Sequence, residues 1–297
     1  MHEIGRALAA ALLAVACALD AATGAARGTV VAPRLELRAR SFRPGELVVV
    51  SIQGSPEVAR VELQAFGRRV PVHKVAAGSW RGVAGIDLDV KPAEYDVSAT
   101  LDGTIASRRV VVVSRAFPVR RLTVNPDFVN PPPEVASRIE EESRFIERVY
   151  AAAASEPLWE TPFQRPVPHQ ANSRFGTRSV FNGEPRSPHG GTDFLSPAGT
   201  PVRAPNAGRV VAARDLYFSG RTVMIDHGAG VFSQLAHLSR IDVREGTPVK
   251  AGQVVGKVGA TGRVTGAHLH WAVRVSGARV DGLSLLAVLG AAPAPSP

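Results

Sequence analysis

Cysteine is almost missing from this 297-residue sequence, with Cys17 the only one. Iron–sulfur, disulfide-exchange and thiolate-rich zinc chemistry is therefore excluded on inventory alone. No His-Glu-x-x-His motif occurs either, so no helix-borne glutamate base is signalled. No central apolar run approaches the roughly 20 residues that a membrane helix needs. Repeats are lacking beyond a β pattern, and no nucleic-acid-binding module is visible, which argues against nucleic acid as a partner.

What is present suits about two packed domains: 297 residues with 45% hydrophobic content. The formal charge of +9 and the pI near 10.6 suit an anionic partner, for which an anionic cell-wall polymer is the expectation. Residues 1–26 read as a secretory signal peptide: Arg6 in a short leading region, an apolar run from Ala7 to Leu19, then small residues at Thr23-Gly24-Ala25-Ala26. The expected destination is the periplasm or cell envelope. Ala14-Val15-Ala16-Cys17 is an imperfect lipobox, so lipid anchoring through Cys17 is the lesser alternative.

Residues 27–118 carry short strand-like runs, among them Leu35–Arg38, Leu47–Ile52, Val61–Ala65, Tyr95–Ala99 and Arg109–Val113, several separated by Pro/Gly turns such as Arg43-Pro44-Gly45. That pattern predicts a β-sandwich. A linker follows over 119–158, in which Val135, Ile139, Ile146 and Val149 recur at helical spacing after Pro131-Pro132-Pro133 and predict one amphipathic helix from Glu134 to about Ala154. Trp159 and Phe163 open a second, all-β domain over 159–290, on which they are expected to pack. Residues 291–297 read as a disordered tail.

The chemistry concentrates in that second domain. Gly266 to Val275 is apolar, rich in β-formers and bounded by Gly266 and Gly277, so it predicts a strand. Alternation along a strand puts His268 and His270 on one face and Leu269 on the other. His189 and Asp193 would stand about 13 Å apart in a straight strand, whereas zinc donors each lie about 2 Å from the ion. Gly190-Gly191 permits the bend that would bring them together. Two histidines and one carboxylate suit zinc and leave a fourth position open for water or substrate. A proton carrier is still needed, and the candidates are His237 and whichever of His268 and His270 does not ligate.

In this ordered set, His189-x-x-x-Asp193, then His237-Leu238, then His268-x-His270, the chain closely resembles the lysostaphin/LytM-like zinc metallopeptidases, bacterial endopeptidases that cut peptidoglycan peptides. The similarity runs from about Ser173 to Leu286 and includes Arg174-Phe175-Gly176, Gly199-Thr200-Pro201-Val202, Ile225-Asp226-His227-Gly228 and Gly259-Ala260-Thr261-Gly262. The resemblance implies a mainly β, lysostaphin-like catalytic domain of the duplicated hybrid (barrel-sandwich) type, one zinc ion on His189, Asp193 and His270, and catalytic roles for His237 and His268. It also implies that the preceding sandwich is immunoglobulin-like and that the substrate is peptidoglycan peptide. One departure stands out: the family often carries an aromatic residue two positions before the second-motif histidine, where this chain has Leu235.

Blander readings compete at other positions. His227, between a strand and a Gly-rich turn, fits a hairpin cap with Asp226 accepting turn hydrogen bonds. His73 and His169 have no partner motif and default to surface or core. Arg178 and Asn182 suit a peptide groove and a solvated loop about equally. Glu245–Gly256 is similar to biotinyl and lipoyl carrier sequence, but Lys250 and Lys257 lack a methionine neighbour, so two short strands of the same all-β fold are expected there. A non-catalytic wall protein that activates another hydrolase is the alternative function.

Overall fold

A computed structural model describes residues 32–123, 131–172 and 175–291. The expected signal peptide with Cys17, the residues Ser173 and Arg174, and all of the expected tail except Ala291 lie outside them. The described part is mainly β, in keeping with the expected class. Its first eight strands are β1 (Arg34–Ala39), β2 (Leu47–Gln53), β3 (Val61–Ala65), β4 (Arg68–Val70), β5 (Val72–Ala76), β6 (Ser79–Gly85), β7 (Ala93–Leu101) and β8 (Thr104–Val112). They form two four-stranded sheets, β1-β2-β6-β5 and β4-β3-β7-β8. Val50, Ile52, Leu63, Trp80, Val97 and Val110 close between the sheets as a sandwich core.

β9 (Val119–Leu122), the helix α1 (Ala136–Ala151) and β10 (Arg178–Phe181) come next, and a single 3-10 turn over Pro133–Val135 starts the helix. The helix is thus shorter at both ends than its apolar spacing suggests. The linker is more than a connector, because β9 pairs in parallel with β10. Helix α1 lies on the second domain: Tyr150 packs edge-on against Phe232, the Arg214 guanidinium stacks 3.7 Å from the Phe145 ring centre, and Glu142 accepts the Tyr217 backbone N–H.

The remaining elements are β11 (Glu184–Pro185), β12 (Gly191–Phe194), β13 (Pro201–Arg203), β14 (Gly208–Leu216), β15 (Gly220–Asp226), β16 (Val231–Ile241), β17 (Pro248–Val249), β18 (Val254–Val258), β19 (Leu269–Val275), β20 (Ala278–Val280) and α2 (Gly282–Leu289). All strands except β11 join one nine-stranded sheet whose main path runs β12-β19-β16-β15-β14-β17. The segment likened to a carrier domain supplies β17 and part of β18, two short strands of this sheet. Trp159 and Phe163 do pack on the domain, Phe163 within its core.

The two β regions share a core. β2 is apolar on both faces: Val48, Val50 and Ile52 enter the sandwich core, whereas Leu47 and Val49, with Val83 of β6, pack into the core of the second domain beside Trp271, Val280 and Leu285. An unbroken Leu-Val-Val-Val run is what a strand covered on both sides requires. Hydrogen bonds reinforce the junction, from Ser276 Oγ to the Val83 carbonyl and from Arg38 to the Val288 carbonyl. Among the described residues no helix is long and apolar enough to cross a membrane.

Candidate metal centre

Strand β19 alternates strictly, with Leu269, Trp271, Val273 and Val275 buried and His270, Ala272 and Arg274 on the other face. Asp193 of β12 stands directly opposite His270, and Ala236 of β16 opposes it on the far side. Sheet register alone therefore brings one carboxylate and one imidazole together. His268 lies one residue before the strand and forms an isolated bridge with Gly259, so the pair His268 and His270 keeps the expected common face.

His189 reaches the same point from the loop before β12, where its carbonyl accepts the Gly176 N–H and its own N–H donates to Thr177. His189 Nε2 lies 3.0 Å from His270 Nδ1 and 3.2 Å from Asp193 Oδ1, and His270 Nδ1 lies 3.0 Å from Asp193 Oδ1. Donors around a tetrahedral zinc at about 2.0 Å stand about 3.3 Å from one another. The three atoms form a triangle of that size, and these residues are a group that can hold a metal ion. The expected bend is real, and Gly191 is needed for a second reason: a Cβ there would overlap the His270 ring.

Burial alone would raise the Asp193 carboxyl, but hydrogen bonds from His189 and His270 and their charges hold it far below the usual carboxylate range. Burial lowers His270, and Asp193 only partly opposes that effect. At neutral pH the centre thus offers an ionised carboxylate and a neutral His270 imidazole, the ligand states a divalent metal takes.

His237 occupies a bulge. Arg221 pairs with Leu238 and Val223 with Leu235, so Ala236 and His237 together face Thr222. His237 sits at φ 64°, a left-handed conformation uncommon outside glycine that re-aims its side chain. Its N–H donates to the Ser219 carbonyl, and its ring lies 4.9 Å from that of His268 and 5.8 Å from that of His270. His237 Nδ1 is 2.9 Å from the Thr261 carbonyl, and His268 Nδ1 is 2.9 Å from the Gly266 carbonyl. A carbonyl can only accept, so both rings carry their proton on Nδ1 and keep an Nε2 lone pair. His268 Nε2 stands 3.9 Å from Asp193 Oδ1. Burial lowers the His237 pKa to about 4.

All five residues singled out in the sequence converge here. The carbonyls of Thr261 and Gly266, which set both tautomers, had no signal of their own, because a backbone oxygen is silent in sequence. His227 is fully buried, with Nδ1 on the Ala207 carbonyl and Nε2 on Ser233 Oγ, and Asp226 accepts the Gly228 N–H as a turn cap does. His73 is buried in β5, and His169 pairs with Ser196. Asn182 takes the left-handed turn between β10 and β11 at φ 52°, and Arg178 is exposed on β10. Leu235 is fully buried, so it contributes to packing and not to a groove wall.

Residues 187–282 match the family model described as peptidase family M23. The peptidoglycan DD-endopeptidase ShyA of Vibrio cholerae serotype O1 is 32% identical over 211 residues, which cover 68% of this chain and 48% of ShyA. The DD-carboxypeptidase/endopeptidase Mpg of Neisseria meningitidis serogroup B is 43% identical over 97 residues, which cover 33% of this chain and 22% of Mpg. The chain therefore spans about half or less of the length of these curated relatives. A crystal structure from Pseudomonas aeruginosa assigned to peptidase M23 superimposes with a TM-score of 0.64 at 32% identity, covering 84% of this chain and 96% of that one.

Proposed function

We propose, from the premise that this chain belongs to peptidase family M23, that it is an exported zinc-dependent endopeptidase hydrolysing peptide bonds in peptidoglycan stems or cross-links. The observation that carries this reading is the triangle of His189 Nε2, Asp193 Oδ1 and His270 Nδ1, with sides of 3.0–3.2 Å. One carboxylate and two imidazoles favour zinc over the harder, all-oxygen cations. Relatives named as peptidoglycan DD-endopeptidases support the substrate class. The leader-like first 26 residues support export to the periplasm or envelope, and the positive charge suits an anionic wall polymer. The sandwich reads as immunoglobulin-like by its strand order, since β1-β2-β6-β5 against β4-β3-β7-β8 corresponds to the ABED and C′CFG sheets.

Zinc held by the triad would polarise the scissile carbonyl and lower the pKa of a water toward about 7. The chain's own work is proton handling. His237 and His268 each hold Nδ1–H on a backbone carbonyl, so each keeps an Nε2 lone pair, and both rings lie beside the triad. One of them takes the proton of the attacking water and becomes a donor, able to stabilise the developing oxyanion or protonate the leaving amine. No side chain need form a covalent bond to substrate.

The test is release of soluble muropeptides from purified peptidoglycan by the full chain, with and without chelator, and with His268→Ala and His270→Ala in parallel. Cleavage lost on chelation and in both variants is expected, and the new peptide ends name the bond. Zinc-loaded wild-type protein that releases nothing overturns the reading in favour of a non-catalytic wall protein.

A further inference from the structure

Helix α1 belongs to the linker, yet one of its carboxylates closes on the hairpin that orients His237. Strands β14 and β15 are joined by a three-residue tip, Tyr217 to Ser219, closed by the pair Leu216 and Gly220. Glu142 Oε2 accepts the Tyr217 N–H at 2.8 Å, and Glu142 Oε1 accepts from Arg138 Nε at 2.7 Å. Arg138 reaches the same hairpin, its Nη2 donating to the Asp215 carbonyl and its guanidinium lying 6.0 Å from the Tyr217 ring. Both Glu142 oxygens are thus engaged, and its side chain is only 18% exposed. An Arg–Glu pair on an open helix face contributes little; here it turns a carboxylate onto a backbone N–H of another element.

The same tip holds His237. The Ser219 carbonyl, two residues beyond Tyr217, accepts the His237 N–H at 2.9 Å. His237 depends on that bond, because it sits at φ 64°, a left-handed conformation that persists only where the surroundings over-determine it. The tip is in turn tied to the segment that holds the His237 ring. The Arg263 N–H donates to the Phe218 carbonyl at 3.0 Å, the Arg221 N–H donates to Thr261 Oγ1 at 2.9 Å, and a Cβ on Gly220 would overlap Thr261, whose carbonyl accepts His237 Nδ1–H. Tip, Thr261 and His237 therefore move as one packed unit, and Glu142 grips that unit from the linker.

We propose that Glu142, turned by Arg138, is a positioning residue for His237: it holds the Tyr217 N–H and so fixes the tip whose Ser219 carbonyl sets the His237 main chain. The role of His237 rests on the endopeptidase reading, but half of the test needs no turnover. In the zinc-loaded full chain, amide hydrogen exchange reads the Tyr217 and His237 N–H groups directly, and cleavage of soluble peptidoglycan fragments reads kcat and KM separately. Glu142→Ala should speed exchange at Tyr217 and at His237 and lower kcat by about tenfold, as loss of one charge-assisted hydrogen bond implies. KM and zinc affinity should stay within about twofold, since no substrate contact and no ligand is removed. Glu142→Gln keeps an acceptor oxygen for Tyr217 and should restore most of both losses. Glu141→Ala, one position away on the helix, should change neither.

Unchanged exchange at His237 in Glu142→Ala overturns the proposal, because the tip then holds without the helix. A kcat loss shared by Glu141→Ala, or matched by a fall in zinc affinity, overturns it too, since either is a general effect on helix or fold. Wild type that cleaves nothing, with exchange at both amides still quickened in Glu142→Ala, would keep the positioning and remove the hydrolase. If Glu142→Ala does not fold, Arg138→Met carries the test: it removes the bond that turns the carboxylate, should quicken both amides to a smaller degree, and overturns the proposal if it quickens neither.

Discussion

Two polar clusters meet strand β12 from opposite faces. Asp193 turns to His189 and His270 on the cleft side. Thr192, its neighbour on the other face, donates to Asp281, which is buried at the junction with the sandwich. There Glu46 and Asp281 are flanked by Arg40 and Arg115: Arg40 lies 2.7 Å from Glu46 and 3.7 Å from Asp281, and Arg115 lies 3.5 Å and 3.2 Å from the same two carboxylates. The junction contains its own cations, two for two carboxylates. The metal side gathers one carboxylate and several imidazole nitrogens, with His270 held neutral by burial. Both clusters are partly buried and tightly hydrogen-bonded, so burial does not tell structure from function here. Charge balance does: a self-neutralised cluster holds the fold, and a cluster of acceptors calls for an ion.

Removing one carboxylate from each cluster should have opposite effects on metal affinity and stability. Asp193→Asn should weaken zinc binding by at least about 100-fold, beyond what loss of a mere outer-shell partner costs, as read by chelator competition. Its metal-free melting temperature should fall, but by less than in the junction variant Asp281→Ala, because the cost of losing the carboxylate's bonds to two imidazoles is partly offset by one fewer buried charge. Metal saturating the wild type at 1,000 times its Kd stabilises it by about 4 kcal/mol, and that gain should vanish in the variant. Equal zinc affinity in Asp193→Asn would sink the metal assignment.

Asp281→Ala should do the reverse, lowering stability by about 3–5 kcal/mol with or without metal. It strands Arg115, frees Thr192, and removes the cap that accepts the Leu283 N–H at the start of α2. Denaturant melts of the apo and zinc forms check this, and a loss confined to the zinc form would show the two clusters to be one.

Acid should separate the clusters in order. Protons compete with metal for imidazole in its ordinary range near about 6.5, and burial displaces His270 below that. Zinc should therefore leave only as pH falls below that ordinary range. A second ion pair, separate from the Glu46 and Asp281 cluster, joins Asp87 of the sandwich to Arg279 of the second domain; burial would raise Asp87, but bonds from Arg279 hold it at about 2. For a depressed carboxyl the stabilisation is complete above its unfolded pKa, near about 3.8, and is lost as pH falls toward 2, here about 2 kcal/mol. Zinc release at a pH where the tertiary fold is still intact is the expected result. Simultaneous loss of metal and near-ultraviolet dichroism would contradict it.

The cleft cluster was largely legible and the junction was not, for physical reasons. His268-Leu269-His270 is a period-two pattern inside an apolar run, and Gly190-Gly191 marks a bend, so both ligand segments announce themselves locally. Asp281 and Thr192 lie 89 residues apart in sequence, and nothing in either segment names the other. The bulge at His237 exists only because Thr222 faces two residues of β16, a fact of pairing and not of composition. One signal was available: Leu47 to Val50 does not alternate, and a strand buried on one face would. That run points to a second core against β2, and so to a sandwich built into the second domain.

The smallest expected effect is also the finest probe of how the junction reaches the metal. Thr192→Val keeps shape but removes the hydroxyl that donates to Asp281 and accepts the Gly282 N–H. One buried hydroxyl pair is worth about 1 kcal/mol, so the melting temperature should fall by a few degrees in both the apo and zinc forms. If β12 is held in register by the sheet alone, through Asp193 opposite His270, zinc affinity should stay within about threefold of wild type, since 1.4 kcal/mol is a factor of ten. A larger loss of zinc affinity would mean that the sandwich tunes the metal centre through a single hydroxyl. The two faces of β12, so different in charge balance, would then be mechanically one site.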